Sequence, residues 1–165
     1  MFKNFIEDLC KRENLIDVGS LGKAAQSSIS KWSQTNDAQR ALCPLEYKDF
    51  AFHTEKEKNP WWQVEFPVNI RPHYIIINNR KNQMYSQISS SIKVTVSNSN
   101  NDEVVLHQGC VFYGALPKSL PLILPLKAHV EIKSIKIEIE NNEPTYLHLG
   151  NINILTSKLI RSKTG

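Results

Sequence analysis

The chain has 165 residues, 41% of them hydrophobic and 22% charged, with a formal charge of +4. That length makes one domain able to bury a substantial core, and no second domain is needed. Three of the positive charges (Lys158, Arg161 and Lys163) sit in an acid-free tail, so the first 157 residues carry only +1, which excludes a nucleic-acid footprint.

Phe2, Phe5, Ile6, Leu9 and Cys10 recur at three-and-four spacing, with Lys3, Glu7, Asp8 and Lys11 opposite them. This spacing predicts one amphipathic helix over residues 2 to 13. Such a helix caps the sandwich or connects it to another domain; its sharper role is a homo-oligomer contact. Residues 1–15 are taken as this connector, 16–157 as the globular domain and 158–165 as a basic tail. Acids break the apolar content within a few residues of the start, so no signal-peptide core is present, and no apolar run reaches transmembrane length. Cys10, Cys43 and Cys110 contain no C-x-x-C pair, and no Asn-x-Ser/Thr acceptor occurs. These features fit a reduced, unglycosylated setting. The expected location is cytoplasmic, or secreted if the chain is a fragment of a longer one.

Beyond Leu15 the period changes to two, with β-rich runs broken by Asn, Ser, Gly and Pro about every ten residues, the all-β pattern. Strands are predicted at 62 to 66, 72 to 78, 91 to 98, 103 to 108, 120 to 126, 130 to 139 and 147 to 155. Ile92, Val94 and Val96 alternate strictly with polar neighbours and should face inward. Ile132, Ile135, Ile137 and Ile139 do the same once a bulge at Lys133-Ser134 restores register. Ser97 to Asp102 reads as a hairpin tip and Asn141 to Pro144 as another turn. Residues 30 to 52 form a long irregular stretch carrying Trp32, Tyr47, Phe50 and Phe52, whose aromatic content argues against disorder.

The most informative stretch runs from His53 to Arg80. It passes through Asn59-Pro60-Trp61-Trp62-Gln63-Val64-Glu65-Phe66 and ends in Ile75-Ile76-Ile77-Asn78-Asn79-Arg80. In the alternating strand Trp62, Val64 and Phe66 share the core face. A histidine and an arginine without an acid set between them to polarise a nucleophile suit the holding of a polyol better than its cleavage. Nothing else suggests catalysis: Walker, G-x-G-x-x-G and G-x-S-x-G motifs are absent from the sequence, and its five histidines lack zinc-ligand spacing.

Several segments together resemble the discoidin, or coagulation-factor type C, superfamily of galactose-binding-like jelly rolls, and within it the fucolectins. Gly22 to Ser28 is similar to the opening strand, and Ala38 to Leu42 to the segment before the family's Asp-Gly turn. His53-Thr54 with Asn59-Pro60-Trp61-Trp62 is the closest match, while Ile135 to Ile139, Tyr146 to Leu149 and Ile152 to Ile154 look like the closing strands. The resemblance covers about residues 16 to 155 and implies an antiparallel jelly-roll β-sandwich. It also implies a non-catalytic, lectin-like module that takes a glycan or glycoconjugate at a rim pocket.

In fucolectins the sugar is held by a His, an Arg 27 positions later, an Asp two beyond it and a second basic residue five further on. That spacing lands here on His53, Arg80, Asn82 and Gln87, so the first pair is kept and the second is not. His53 and Arg80 are expected to donate to hydroxyls, with Asn82 and Gln87 completing the rim. Tyr85, Phe112 or Tyr113 would cover an apolar ring face. Many relatives bind structural calcium near the Asp-Gly turn. This chain has Cys43-Pro44 there and Asn151 in place of the closing acid, so no cofactor is expected unless Asn36, Asp37, Glu46 and Asp49 rebuild a site. Two other roles fit the resemblance. One is an accessory domain of a glycan-processing enzyme, with catalysis in an attached domain; the other is a membrane or protein adhesion module using Trp32, Tyr47, Phe50 and Phe52.

Overall fold

A computed structural model describes residues 2–43, 49–82, 91–110, 121–127 and 129–158. Helix α1 (Phe2–Glu13) leads into β1 (Leu15–Asp17), a 3-10 turn (Gly19–Leu21), β2 (Lys23–Gln26) and the short helix α2 (Asp37–Arg40). The remaining strands are β3 (Phe52–His53), β4 (Trp61–Ile70), β5 (Pro72–Ile77), β6 (Ser91–Ser97) and β7 (Glu103–Cys110). They are followed by β8 (Leu122–Pro125), β9 (Ile132–Ile139), β10 (His148–Leu149) and β11 (Ile152–Ser157). One sheet runs β1-β11-β5-β8, a second runs β2-β4-β9-β6-β7, and β3 pairs with β10 beside them. The registered pairs are all antiparallel.

Alternation builds the core. Ile92, Val94 and Val96 of β6 and Ile132, Ile135, Ile137 and Ile139 of β9 are buried, as are Trp62, Val64 and Phe66 of β4. They meet Ile75, Ile77, Ile152 and Ile154 of the other sheet in one cluster. The unbroken run Ile75-Ile76-Ile77 has its own cause. Ile76 points to the outer face, where Leu9, Ile6 and Cys10 of α1 cover it together with Leu15 and Leu155. A strand buried on both faces reads as a continuous apolar run. The helix therefore caps the outside of the four-stranded sheet.

One expectation holds with a difference and another needs correction. Ile132 and Ile135, three residues apart, are both buried, so the irregularity does fall at Lys133-Ser134, but the larger surplus lies opposite, where β4 takes five steps from Glu65 to Ile70. The single strand foreseen at 147 to 155 is two strands in different sheets, because Gly150 and Asn151 carry the chain from the β3 side to the β5 side. There Gly150 N donates to Asn78 O at 2.7 Å and Asn78 N to Asn151 O at 3.1 Å. Three short strands, β1, β2 and β3, carry too few residues for a period-two signal.

Gly22 sits where β2 begins against β4. A Cβ there would lie 2.3 Å from Val64 Cγ2 and 3.0 Å from Phe66 Cε1, both fully packed side chains. Gly22→Ala should therefore cost about 1–3 kcal/mol through overpacking. Calorimetry should record a fall in Tm of about 2–12 °C for a chain of this size.

Candidate functional site

The site begins with the pairing of β3 and β10, which sets His53 directly opposite His148 and Phe52 opposite Leu149. Period two sends neighbours to opposite faces, so Phe52 and Leu149 enter the core while the two imidazoles share the other side. They stack at 5.0 Å between centroids with 29° between planes. Phe52 stacks on Trp62 underneath, at 6.0 Å, which fixes the strand that carries His53.

Three more rings close around His53. Trp32 lies 5.1 Å away, Phe50 5.2 Å and Tyr146 5.3 Å. Trp32 and Tyr146 meet edge to face at 6.1 Å. Backbone and serine hydrogen bonds clamp the Trp32 turn onto β3: Ser30 N donates to His53 O at 3.1 Å, His53 N to Ser33 Oγ at 3.3 Å and Trp32 N to Ser30 Oγ at 3.2 Å. Trp32 nonetheless remains 54% exposed. Lys31 Nζ stands 4.7 Å from its ring centroid, a cation–π contact.

Arg80 follows β5 and enters the same cluster, its guanidinium carbon 5.1 Å from the Phe50 centroid. Phe50 thus lies between the two residues whose spacing singled them out. The side chain of Arg80 is only 9% exposed, and Asp49 takes its fork: Nε donates to Oδ1 at 3.1 Å and Nη2 to Oδ2. Asp49 Oδ1 also accepts Asn82 N at 2.8 Å, and Asp49 O accepts Lys81 N at 2.7 Å. Asp49 therefore organises the Arg80–Asn82 turn with its carboxylate and its backbone carbonyl together, and the bidentate geometry gives Arg80 a single orientation.

Charge follows from these contacts. Burial works to raise the Asp49 carboxyl, but the hydrogen bonds from Arg80 and Asn82 and the Arg80 charge outweigh it, leaving it below the usual carboxylate range. Burial pushes His148 down to about 3, helped by the charges of Arg80 and His53. Burial likewise lowers His53, again with Arg80, against a hydrogen bond to Thr54 that works the other way. That hydrogen bond fixes the tautomer. Nδ1 faces the Thr54 carbonyl at 2.8 Å and must carry the proton, so the neutral ring offers Nε2 as an acceptor.

His53 and Arg80 thus meet through Phe50 in a recessed cluster and not in an open rim pocket, since His53 is 5% exposed. His53 presents an acceptor where a donor was expected. An acid is present after all: Asp49, 31 residues before Arg80, supplies a carboxylate where position 82 has only an amide. Asn82 is exposed and enters through its backbone. Gln87, Tyr85 and Tyr113, together with Phe112, lie outside the described residues. Of the aromatics assigned to membrane contact, Phe52 is core and Phe50 packs between Arg80 and His53, while Trp32 is exposed. Tyr47 lies outside the described residues.

Trp32, Phe50, Tyr146 and His148 were not foreseen as site residues. The aromatic density of residues 30 to 52 was the available signal for the first two. Of the acids considered for calcium, Asp37 accepts from Ser33 Oγ and Gln34 N, both at 2.8 Å, and pairs with Arg40. Asp49 is held by Arg80, and Glu46 lies outside the described residues. Among the described residues no three metal-ligating side chains cluster, and no helix is long and apolar enough to cross a membrane.

No family model and no curated protein matches the chain by sequence. Solved structures do match its shape. The lectin domain of lectinolysin, solved with Lewis B antigen, superposes with a TM-score of 0.70 at 21% identity, covering 87% of this chain and 97% of that one. A fucose-binding module of Streptococcus pneumoniae gives a TM-score of 0.70 at 20% identity over 87% and 99%. A family 32 carbohydrate-binding module from C. perfringens, in complex with galactose, gives 0.66 at 14% identity over 86% and 99%. The chain therefore has the β-sandwich fold of these lectin and carbohydrate-binding modules, over nearly the full length of each.

Proposed function

We propose that the chain is a non-catalytic, lectin-like carbohydrate-binding module. A sugar ring lies against Trp32 and Tyr146, gives a hydroxyl proton to His53 Nε2 and meets the positive field of Arg80. The observation that carries this reading is the convergence of His53 and Arg80 on Phe50, beneath an aromatic wall left half open to solvent. Ligands named for the structural neighbours, which are Lewis B antigen, fucose and galactose, agree with such a wall. Sugars have both hydroxyls and an apolar C–H face, and an aromatic ring removes the latter from water.

The polar groups are ill suited to catalysis. His53 is oriented by a carbonyl and not by an acid, and Asp49 is committed to Arg80, so neither activates a nucleophile. A site this small binds weakly, and useful avidity comes from multivalency or from an attached domain.

Glycan-array binding tests the reading. Fucose- and galactose-terminated glycans should be retained, and Trp32→Ala should weaken them on the order of tenfold, about 1.4 kcal/mol. The substitution should leave the circular dichroism spectrum unchanged, because the ring is more exposed than buried. Failure of every glycan to bind at millimolar concentration would rule the reading out.

A further inference from the structure

The end of the sandwich remote from His53 carries a second built groove. Arg71 immediately precedes β5 and Arg80 comes three residues after its last, so the two ends are separated by at least a strand of six residues, about 20 Å. At the Arg71 end, β4 uses five steps from Glu65 to Ile70 where β9 uses two from Ser134 to Ile132. The surplus bows outward as Pro67, Val68 and Asn69, all exposed. Proline suits that bow because it has no N–H to leave unpaired. Between the bow, the tip of the β6–β7 hairpin and the start of β9 lies a space of ≈ 380 Å³. That is within the range of small-ligand sites, roughly 300–1,000 Å³.

Its walls are braced from three separate segments. Ser99 Oγ donates to Asn69 Oδ1 at 2.5 Å, Asn69 Nδ2 to Glu131 Oε2 at 3.5 Å and Arg71 Nε to Glu131 Oε1 at 2.9 Å. Asn98 Nδ2 donates to Asp102 Oδ2 at 3.0 Å across the hairpin tip. The floor is apolar, formed by the buried Val96 and Ile132, and Val104 lines one side at 53% exposure. Of the two acids that line it, Glu131 is paired with Arg71 and Asp102 accepts from the Asn98 amide. Amides and hydroxyls over an apolar floor match a neutral polyhydroxylated ring.

We propose that this groove is a second saccharide site, taking one neutral sugar unit independently of the His53 end. Two sites about 20 Å apart on one rigid sandwich let a single chain engage two arms of a glycan or two neighbouring glycans, with the gain in avidity that linkage brings.

The test is a titration of the isotope-labelled protein with fucose, galactose, N-acetylgalactosamine and N-acetylglucosamine, followed by NMR. At least one sugar should move the side-chain amide resonances of Asn69 and Asn98. Val104→Trp, which fills the groove from an exposed strand position, should raise that dissociation constant at least about tenfold. The response of the Trp32 indole should be unaltered. Asn69→Ala, read at Asn98, gives the same comparison should Val104→Trp fail to fold. The proposal is overturned if no sugar moves the Asn69 and Asn98 resonances, or if they move equally in the filled variant. The Trp32 indole reports the first site separately, so either site can fail without the other.

Discussion

Asp49→Ala should destabilise the protein by about 2–4 kcal/mol, because a guanidinium 9% exposed loses the carboxylate that takes two of its nitrogens. The figure is set toward the low end of buried ion pairs because Asp49 itself is 28% exposed. At this chain length the loss corresponds to a fall in Tm on the order of 10 °C. The Asn82 amide loses its acceptor in the same step, and the turn that presents Arg80 loosens with it. Glycan binding should fall along with stability. An internal control lies at the far end of the molecule, where Arg71 and Glu131 form an ion pair with side chains 64% and 42% exposed. Arg71→Ala should cost distinctly less, since exposed pairs are screened by solvent. Urea denaturation of the two variants side by side decides the matter. Equal losses would show that the Asp49–Arg80 pair is ordinary surface charge and does not hold the site together.

That contrast explains which parts of the site could be read in the sequence. His53 and Arg80 were legible because they bracket a strand whose alternation identifies it as core and because their separation of 27 residues is the one that the resemblance to fucolectins implies. Asp49 was not, because its role depends on the chain returning from α2 to β3 beside the end of β5, a contact that no local pattern encodes. Trp32 and Phe50 were visible as aromatic density in an irregular stretch, yet the same density fits lipid contact until the rings are seen to face His53. His148 has the sequence neighbourhood of a packed strand residue, and only the β3–β10 register sets it against His53. The long strands obeyed their period, since burying one face leaves a strand little freedom of register. The buried isoleucines locate the break at Lys133-Ser134, but the larger surplus on β4 leaves no mark in the pattern of β9.

Mild acid should destabilise the protein, with the imidazole pair as the main cause. The folded state holds His148 near 3, against 6.5 in the unfolded chain, so between those values the unfolded state binds the extra proton. Stability is then greatest above about pH 6.5 and declines as pH falls toward 3, by up to about 1.4 kcal/mol per unit for one such group. His53, lowered for the same reasons of burial and the nearby Arg80 charge, adds to the decline below 6.5. Burial sets the direction and the charges facing the pair modify it, Glu55 working against it at His53. Arg80 repels a proton on either ring, and Asp49, which would attract one, is already engaged by Arg80. Asp49 has a lowered folded value of its own, so its contribution is lost only at still lower pH and in the same sense. Urea denaturation at pH 7 and pH 5 should differ by about 2 kcal/mol in the parent protein. His148→Gln removes one titrating ring and should shrink that difference to the share due to His53, whatever its own cost at pH 7. A parent protein equally stable at both values would mean that the buried imidazoles accept protons freely.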